Sequence, residues 1–390
     1  MTRDLKLMMA SVFLWGCGEG LFIYLYPLYL EKLGANSVLI GTIMSLAAVG
    51  AAATHIPAGW LADRWGPKEM LLVGWIIGAL AALAMFLAPN LLWFTVALVA
   101  YMLTAFVMSP INAVVTESRG SLSLPRALTL NVAAYAVGTL FSPALGGQAA
   151  RLWGLRSVFG LAFVAYLVST AVLMRIRPKP VSAPPQGVNR YRALLTNRRF
   201  LSLLLLSFAA YIAFEVGFPL ASNFLADVRG YDPALVGLLG SFNALGIVIL
   251  NVVGGRRGPR GAYILAQVLM AVSLVILLAT GQLGWVALAF VFRGSLNLAH
   301  MMSAAQVEQV VDRPKLVLAY GVTESVIALA MIIGPSVAGV LYARSPALPF
   351  QVSVALLALS IPLMWWLAPH PAARPLAAAL GAESDAPPAP

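Results

Sequence analysis

The chain has 390 residues, of which 61% are hydrophobic and only 10% are charged, and its formal net charge is +11. A soluble protein of this length cannot bury that much apolar surface, so the composition predicts a polytopic membrane protein. The single cysteine, Cys17, excludes an intramolecular disulfide and a metal site built from cysteines.

The apolar residues are gathered into about twelve runs, and most of them reach the roughly 20 residues that a helix needs to cross a bilayer core. The first run follows Arg3 and Lys6. It is too long for a signal peptide and no small-residue cleavage site follows it, so it is predicted to be the first span. The predicted spans are 8–30, 38–58, 70–88, 91–115, 127–150, 156–174, 200–225, 235–253, 262–280, 284–306, 316–342 and 348–368.

The basic residues are distributed unevenly between the loops. If the N-terminus is cytoplasmic, most of the 25 Lys and Arg residues fall in cytoplasmic segments. This asymmetry follows the positive-inside rule and predicts a multi-pass protein of the inner or plasma membrane with both termini in the cytoplasm. The positive charge is therefore assigned to topology and to membrane lipid, and no nucleic-acid partner is expected.

The chain is predicted to divide into two membrane halves. Residues 1–174 form the first six spans, and residues 175–199 form a basic, proline-containing segment without an acid. Such a segment resists packing, so it is predicted to be a cytoplasmic linker. Residues 200–370 form the second six spans, and the Ala- and Pro-rich tail 371–390 is predicted to be disordered.

The two halves resemble each other. An offset of 196 residues places Glu19 on Glu215 and Gly41 on Gly237. An offset of 192 residues relates two later pairs, which are Pro143 with Pro335 and Gly147 with Gly339. This repeat predicts an all-α membrane protein whose twelve transmembrane helices form two pseudo-symmetric six-helix bundles.

A short charged segment separates the second and third predicted spans. It resembles the Gly-x-x-x-Asp-Arg-x-Gly-Arg-Lys signature of the major facilitator superfamily (MFS), and Pro67 stands where that signature has a base. The resemblance implies the MFS fold and a cytoplasmic gating motif whose ion pairs hold the outward-open state. The alternative is a turn that only sets topology. The matching residues are Gly59, Asp63, Arg64, Gly66 and Lys68.

The fifth predicted span is similar to the Gly-x-x-x-Gly-Pro-x-x-Gly-Gly motif of proton-coupled antiporters in the same superfamily. The matching residues are Gly138, Pro143, Gly146 and Gly147, and Ser142 replaces one glycine. The alternative is close packing by small residues, with Pro143 bending the span. The fourth span lacks the arginine that many drug antiporters carry, which weighs against drug efflux.

Ionisable residues inside the predicted spans are the main candidates for a functional site, because a charge at the bilayer centre is costly. At about 1.5 Å per residue, Glu19, Glu215 and Arg293 each lie near the middle of the membrane. They belong to spans 1, 7 and 10, which the MFS resemblance implies line the central cavity. The full set of ionisable residues within spans is Glu19, His55, Glu215, Arg293, His300 and Glu324.

Aromatic and polar residues accompany these charges at helical spacing. Arg293, Asn297 and His300 share one face of span 10. Aromatic walls with two acids suit an amphipathic or cationic organic solute, although simple core packing is the alternative for each residue. The predicted substrate-binding residues are Glu19, Tyr26, Asn131, Tyr211, Phe214, Glu215, Arg293, Asn297 and His300.

Four residues are predicted to carry protons: Glu19, Glu215, Glu324 and His300. Buried carboxyl groups can exchange protons near neutral pH, and a carboxylate beside an imidazole in a low dielectric can relay them. A structural hydrogen bond is the alternative for His300 and Glu324.

Motifs that bind nucleotides or metals are missing from the sequence, so no cofactor, metal or enzymatic activity is expected. The predicted function is secondary transport by alternating access, as a proton-coupled antiporter that exports a small amphipathic or cationic organic solute. The alternatives are proton symport or facilitated uptake of a sugar or small organic acid, and a non-transporting receptor or scaffold. A monomer is expected.

Overall fold

The computed structural model describes residues 1–177, 196–254, 256–311 and 316–367, except for the side chains of 55–64, 109, 125 and 317. Most of the predicted linker and the whole predicted tail lie outside the described residues. The side chains of His55, Asp63 and Arg64 and the surroundings of Gly59 also lie outside the described part. The predicted gating roles of Gly59, Asp63 and Arg64 therefore stay predictions.

The first half of the chain folds into eight helices. Thr2 and Asn90 cap two of them, because their side-chain oxygens accept hydrogen bonds from Leu5 N and Trp93 N at 3.2 Å each. Pro67 begins another helix, at the position where the missing amide hydrogen costs nothing. The helices are α1 Arg3–Phe22, α2 Tyr26–Lys32, α3 Ser37–Trp65, α4 Pro67–Leu87, α5 Leu91–Met102, α6 Met108–Ser118, α7 Leu124–Trp153 and α8 Ser157–Met174.

The second half repeats this order. Asn197 caps its first helix, and Pro259 begins the helix that corresponds to α4. The helices are α9 Arg198–Gly217, α10 Ala221–Asp227, α11 Pro233–Gly254, α12 Pro259–Ala279, α13 Leu283–Arg293, α14 Ser295–Val310, α15 Leu316–Arg344 and α16 Leu348–Leu367. No strand occurs in the described ranges.

A helix or an interrupted helix occupies each of the twelve predicted spans. Ten helices in the described part of the chain are long and apolar enough to cross a membrane, and the number is eleven if the bent pair within 91–118 is one span. The fourth span consists of three elements: α5, a 3₁₀ segment at Leu103–Val107, and α6. Pro110 accounts for this interruption, because a proline disrupts the helical turn that precedes it. The tenth span is broken at Gly294, between α13 and α14.

Two pairs of helices make the main contacts between the halves. Helix α3 packs on α15, and α7 packs on α11. A Cβ added to Gly41 would lie 2.2 Å from the carbonyl oxygen of Pro335, and one added to Gly237 would lie 2.3 Å from that of Pro143. The residues that reveal the repeat in the sequence are therefore the residues at which the two halves cross.

The contacts between the halves lie at the end of the bundle opposite the starts of α1 and α9. There the Ser222 hydroxyl donates a hydrogen bond to Tyr24 O at 2.7 Å, and the Ser336 hydroxyl lies 2.8 Å from that of Ser45. The described hydrogen bonds between the halves lie at this end or near the middle of the bundle. The described conformation is therefore closed at the end away from the N-terminus.

Candidate functional site

Glu19 lies on α1 and is enclosed by aromatic residues of the first half. The Tyr135 hydroxyl of α7 donates a hydrogen bond to Glu19 Oε2 at 2.8 Å. The hydroxyl of Tyr101 and the ring of Trp15 also lie close to this carboxyl group. Tyr101 is in turn 3.0 Å from Tyr166, hydroxyl to hydroxyl. The Glu19 carboxyl thus lies in a neutral, hydrogen-bonding aromatic pocket.

Close packing of α1 against α7 brings Tyr135 to Glu19. A Cβ on Gly138 would lie 2.4 Å from Phe13 O, and a Cβ on Gly146 would lie 2.1 Å from Leu21 O. These two glycines of the antiporter-like motif let the backbones approach. Pro143 and Gly147 of the same motif lie against α11. The packing accounts for the small residues of the motif, and an antiporter role for the motif stays a prediction.

Arg293 lies at the end of α13, between the two halves. Its Nη1 donates a hydrogen bond to Asn243 Oδ1 at 3.0 Å, and the same oxygen accepts one from the Tyr24 hydroxyl at 2.7 Å. The guanidinium carbon is 5.5 Å from the ring centre of Tyr24 and 4.9 Å from that of Phe218, which are cation–π distances. Arg293 therefore links the second half to Tyr24 of the first half.

Glu215 and Arg293 belong to the same half of the chain, on α9 and α13. Arg293 is the charged group that acts on the Glu215 carboxyl, but the two side chains do not form a salt bridge in the described structure. The backbone of α15 passes close by, because a Cβ on Gly334 would lie 2.3 Å from Glu215 Cβ. Arg293 therefore acts on Glu215 through its charge and makes no direct ion pair with it among the described residues.

His300 and Glu324 are brought together as predicted, with His300 Nε2 3.3 Å from Glu324 Oε1. Their side chains are 41% and 56% exposed, so protein does not enclose the pair. The proton-carrying role of this pair stays a prediction. Asn297 lies nearby on the same helix and accepts a hydrogen bond from Asn251 Nδ2 at 2.7 Å.

The remaining predicted binding residues are buried. Tyr211 and Phe214 pack edge-to-face inside the second half, with ring centres 5.7 Å apart. Tyr26 and Asn131 are 7% and 4% exposed. In this conformation none of these four lines an open surface, and their role in binding solute stays a prediction.

Several residues of the site were not predicted. Tyr24, Tyr101 and Tyr135 supply hydroxyl groups to Glu19 or Asn243, and Asn243 joins Tyr24 to Arg293. Their signal in the sequence was weak, because a tyrosine within an apolar span reads as packing. Gly66 and Lys68 of the gating motif are described. Gly66 has φ +90°, a conformation that favours glycine, and Lys68 lies in the first turn of α4.

Two repeated helical halves with charged side chains between them define a membrane transporter, not an enzyme. The family model of the Major Facilitator Superfamily matches residues 8–256 and 203–390. The chain belongs to this superfamily, as the motif between the second and third spans predicted.

Similar proteins include several with multidrug names. The chain is 28% identical over 306 residues to the multidrug resistance protein MdtG of Serratia proteamaculans, covering 73% of each chain. It is 25% identical over 284 residues to the multi-drug resistance efflux pump PmrA of Streptococcus pneumoniae, covering 68% of this chain and 70% of that one.

Solved structures share the fold at lower identity. The nucleoside transporter NupG matches with a TM-score of 0.78 and 13% identity, covering 94% of this chain and 98% of that chain. A bacterial homologue of the human lysosomal transporter Spinster, in an inward-facing and unoccupied conformation, matches with a TM-score of 0.74 and 16% identity over 94% of this chain and 96% of that chain. At such identity these likenesses concern the fold alone.

Proposed function

We propose that this transporter is a proton-coupled antiporter that exports a small amphipathic or cationic organic solute. The observation that carries the proposal is the pocket of Glu19, where a carboxyl group lies among Trp15, Tyr101 and Tyr135. A carboxylate with aromatic walls attracts an organic cation through charge and through cation–π contact. The multidrug names of the relatives agree with such a solute.

Coupling follows if a proton and the solute compete for the same carboxylate. A protonated Glu19 is neutral and holds its hydrogen bond with Tyr135, whereas a bound cation requires the charged form. Each solute bound then displaces a proton. Glu215 adds a second acid in the other half, and we assign it to proton exchange because the charge of Arg293 favours release of the carboxyl proton.

The orientation belongs to the same proposal. With both termini in the cytoplasm, the closed end described above faces outward and the conformation faces inward. The protein then acts as a monomer in an inner or plasma membrane, with residues 1–174 and 200–370 moving as two bundles joined by 175–199. The motif at 59–68 forms its contacts in the opposite state.

A second candidate is uptake of a solute that carries a carboxylate or carbonyl group. Arg293 favours it, because its buried Nε has no hydrogen-bond partner among the described residues. A guanidinium with a free donor binds an acceptor well. Under this alternative Arg293, with Asn297 and His300, recognises the solute and protons move in the same direction.

Proteoliposomes with an imposed pH gradient separate the two candidates. Lipophilic cations and a panel of sugars and organic acids are offered, and the fluxes of solute and protons are recorded together. Opposite fluxes of cation and proton that disappear in Glu19→Gln and persist in the control Glu308→Gln support the antiporter. Parallel fluxes of a polar solute and protons, lost in Arg293→Gln, contradict it and support uptake.

A further inference from the structure

The repeat matches three buried positions in the first half with three in the second. Helices α4 and α12 have 21 residues each and both begin with proline, which places Trp75 on Gln267. The offset of α1 and α9 that matches the two intramembrane acids places Ser11 on Ser207. Helices α8 and α16 align by their buried Phe159 and Phe350, which places Ser169 on Ser360.

In the first half these three side chains form a closed hydrogen-bonded group. Trp75 Nε1 donates to Ser11 Oγ at 3.0 Å and to Ser169 Oγ at 2.7 Å. The two serine hydroxyls are 3.0 Å apart, and Ser169 Oγ also donates to Ser11 O at 2.6 Å. The indole fills the space between the helices, and the buried polar atoms of this group satisfy one another.

In the second half the matching polar atoms lack partners. Gln267 is 0% exposed, and neither Oε1 nor Nε2 has a hydrogen-bond partner among the described residues. The hydroxyl groups of Tyr211, Ser303 and Ser360 are also buried and unpartnered, and those of Ser207 and Tyr263 lie close to each other with no further partner among the described residues. Buried polar groups are nearly always paired with protein or with ordered water, so a cluster of this size indicates bound water.

The C-half polar pocket, defined here as Ser207, Tyr211, Tyr263, Gln267 and Ser360, extends towards the acid of the second half. Ser207, Tyr211 and Glu215 recur every four residues along α9 and therefore share one face. The Tyr211 hydroxyl lies close enough to Tyr263, Glu324 and Glu215 to interact with them electrostatically. Its ring also contacts His300 edge-to-face, with centres 6.4 Å apart.

We propose that the C-half polar pocket holds a short file of water molecules through which Glu215 exchanges its proton with the open end of the bundle. The lining is neutral and fully buried, so it suits water and excludes an ion or an organic solute. Protonated Glu215 donates its proton to the file and becomes a carboxylate, and the file delivers one proton to the His300–Glu324 pair. The role of the file rests on the proposed function.

The first test is a high-resolution map of the wild-type protein. We expect solvent density within hydrogen-bonding distance of Gln267 and Ser207, and none between Ser11, Trp75 and Ser169. A map in which Gln267 bonds directly to the serines, with no solvent density, would overturn the proposal.

The second test concerns proton movement and uses Gln267→Leu, which keeps the side-chain size and removes both polar atoms. We expect transport driven by a pH gradient to fall about tenfold or more, since positioned proton transfer is worth about 10²–10⁴-fold. Solute exchange at equal pH should stay unchanged, which a merely structural defect would not allow. Trp75→Phe, at the position of the first half that matches Gln267, is the matched control.

The two failures can be distinguished. If wild-type protein shows no transport driven by a pH gradient, the proposed function fails, and the proton role of the file fails with it. If wild-type protein shows such transport and Gln267→Leu leaves its rate unchanged, the proposed function stands and the water file is overturned.

Discussion

The two halves of the molecule share a backbone and differ in the chemistry of their interiors. In the first half the intramembrane acid, Glu19, accepts a hydrogen bond from Tyr135, and the buried Trp75 group behind it is closed. In the second half Glu215 faces Arg293, and the pocket around Gln267 has unpartnered polar atoms. Duplication thus fixes where helices cross, while single side chains decide what each half does.

This difference assigns separate tasks to the two acids. A carboxyl group in an aromatic, neutral pocket can hold either a proton or an organic cation, so Glu19 is assigned to the competition between proton and solute. A carboxyl group near a guanidinium, and close to a polar pocket, is assigned to proton exchange.

The largest effect is expected from the two acids. Glu19→Gln should abolish both binding of a cationic solute and transport driven by a pH gradient, because the charge that attracts the solute is gone. Glu215→Gln should slow transport driven by a pH gradient, because it removes the acid that passes protons on, and should leave solute binding within about tenfold, a difference of about 1.4 kcal/mol. Equilibrium binding and proteoliposome flux measure the two properties. Equal loss of binding in both variants would contradict separate tasks.

The second effect concerns the crossing of the halves. Gly237→Val places a Cβ 2.3 Å from Pro143 O. Overpacking of this kind costs about 1–3 kcal/mol, which shifts the equilibrium between the closed and open states of this end by about 5–150-fold. Transport should slow and the closed end should separate. Distances between spin labels at Lys32 and Val228 report the separation.

Gly284→Val is the matched control for this variant, because nothing lies within 4 Å of a Cβ at that position. Unchanged label distances in Gly237→Val, together with normal transport, would show that the crossing tolerates the added side chain.

A smaller effect compares the interiors directly. Trp75→Phe removes a donor shared by Ser11 and Ser169 and should lower the free energy of unfolding by about 1–2 kcal/mol. Gln267→Met should cost less, because no hydrogen bond to a described side chain is lost. Thermal unfolding of the purified proteins measures both. A larger loss of unfolding free energy in Gln267→Met than in Trp75→Phe would mean that the buried polar groups of the second half are more strongly hydrogen-bonded than those of the first half.

The smallest effect is a pH dependence at the closed end, outside the spans. Partial burial is the main cause that raises the pKa of Glu31, and the nearby Asp227 carboxyl raises this pKa further. The hydrogen bond from Asn223 lowers the pKa but does not cancel the increase. Because a raised pKa means that the closed state binds the proton more tightly, closure should be favoured at low pH and weaken as the pH rises through the raised value.

Glu31→Gln should remove this dependence. It replaces the titrating carboxyl by a neutral amide, which still provides an oxygen for Asn223. Label distances at the closed end, recorded as a function of pH, test the expectation. A wild-type distance that does not change with pH would contradict it.

The sequence predicted the architecture well because membrane spans and an internal repeat leave strong patterns. Apolar length located the helices, and the glycine–proline pairs indicated the repeat whose members cross at Gly41 and Gly237. The interruption at Gly294 was not predicted, because a single glycine within a helical pattern is usually tolerated.

The candidate site was predicted only in part. Charged residues such as Glu19, Glu215 and Arg293 stand out in an apolar sequence, and the structure brings Glu215 and Arg293 near each other. The partner Tyr135 did not stand out, since a hydroxyl within a span has many uses. Which hydroxyl meets which acid depends on how helices rotate and pack, and this information is not local in the sequence.

The most direct test of the proposed antiport is the release of protons when solute binds. Purified protein in weakly buffered solution receives a saturating lipophilic cation, and the change in pH is recorded for wild type and Glu19→Gln. We expect the wild type to release protons and the variant to release none, since cation and proton compete for Glu19. Binding of the cation to wild type without proton release, or with proton uptake, would contradict antiport.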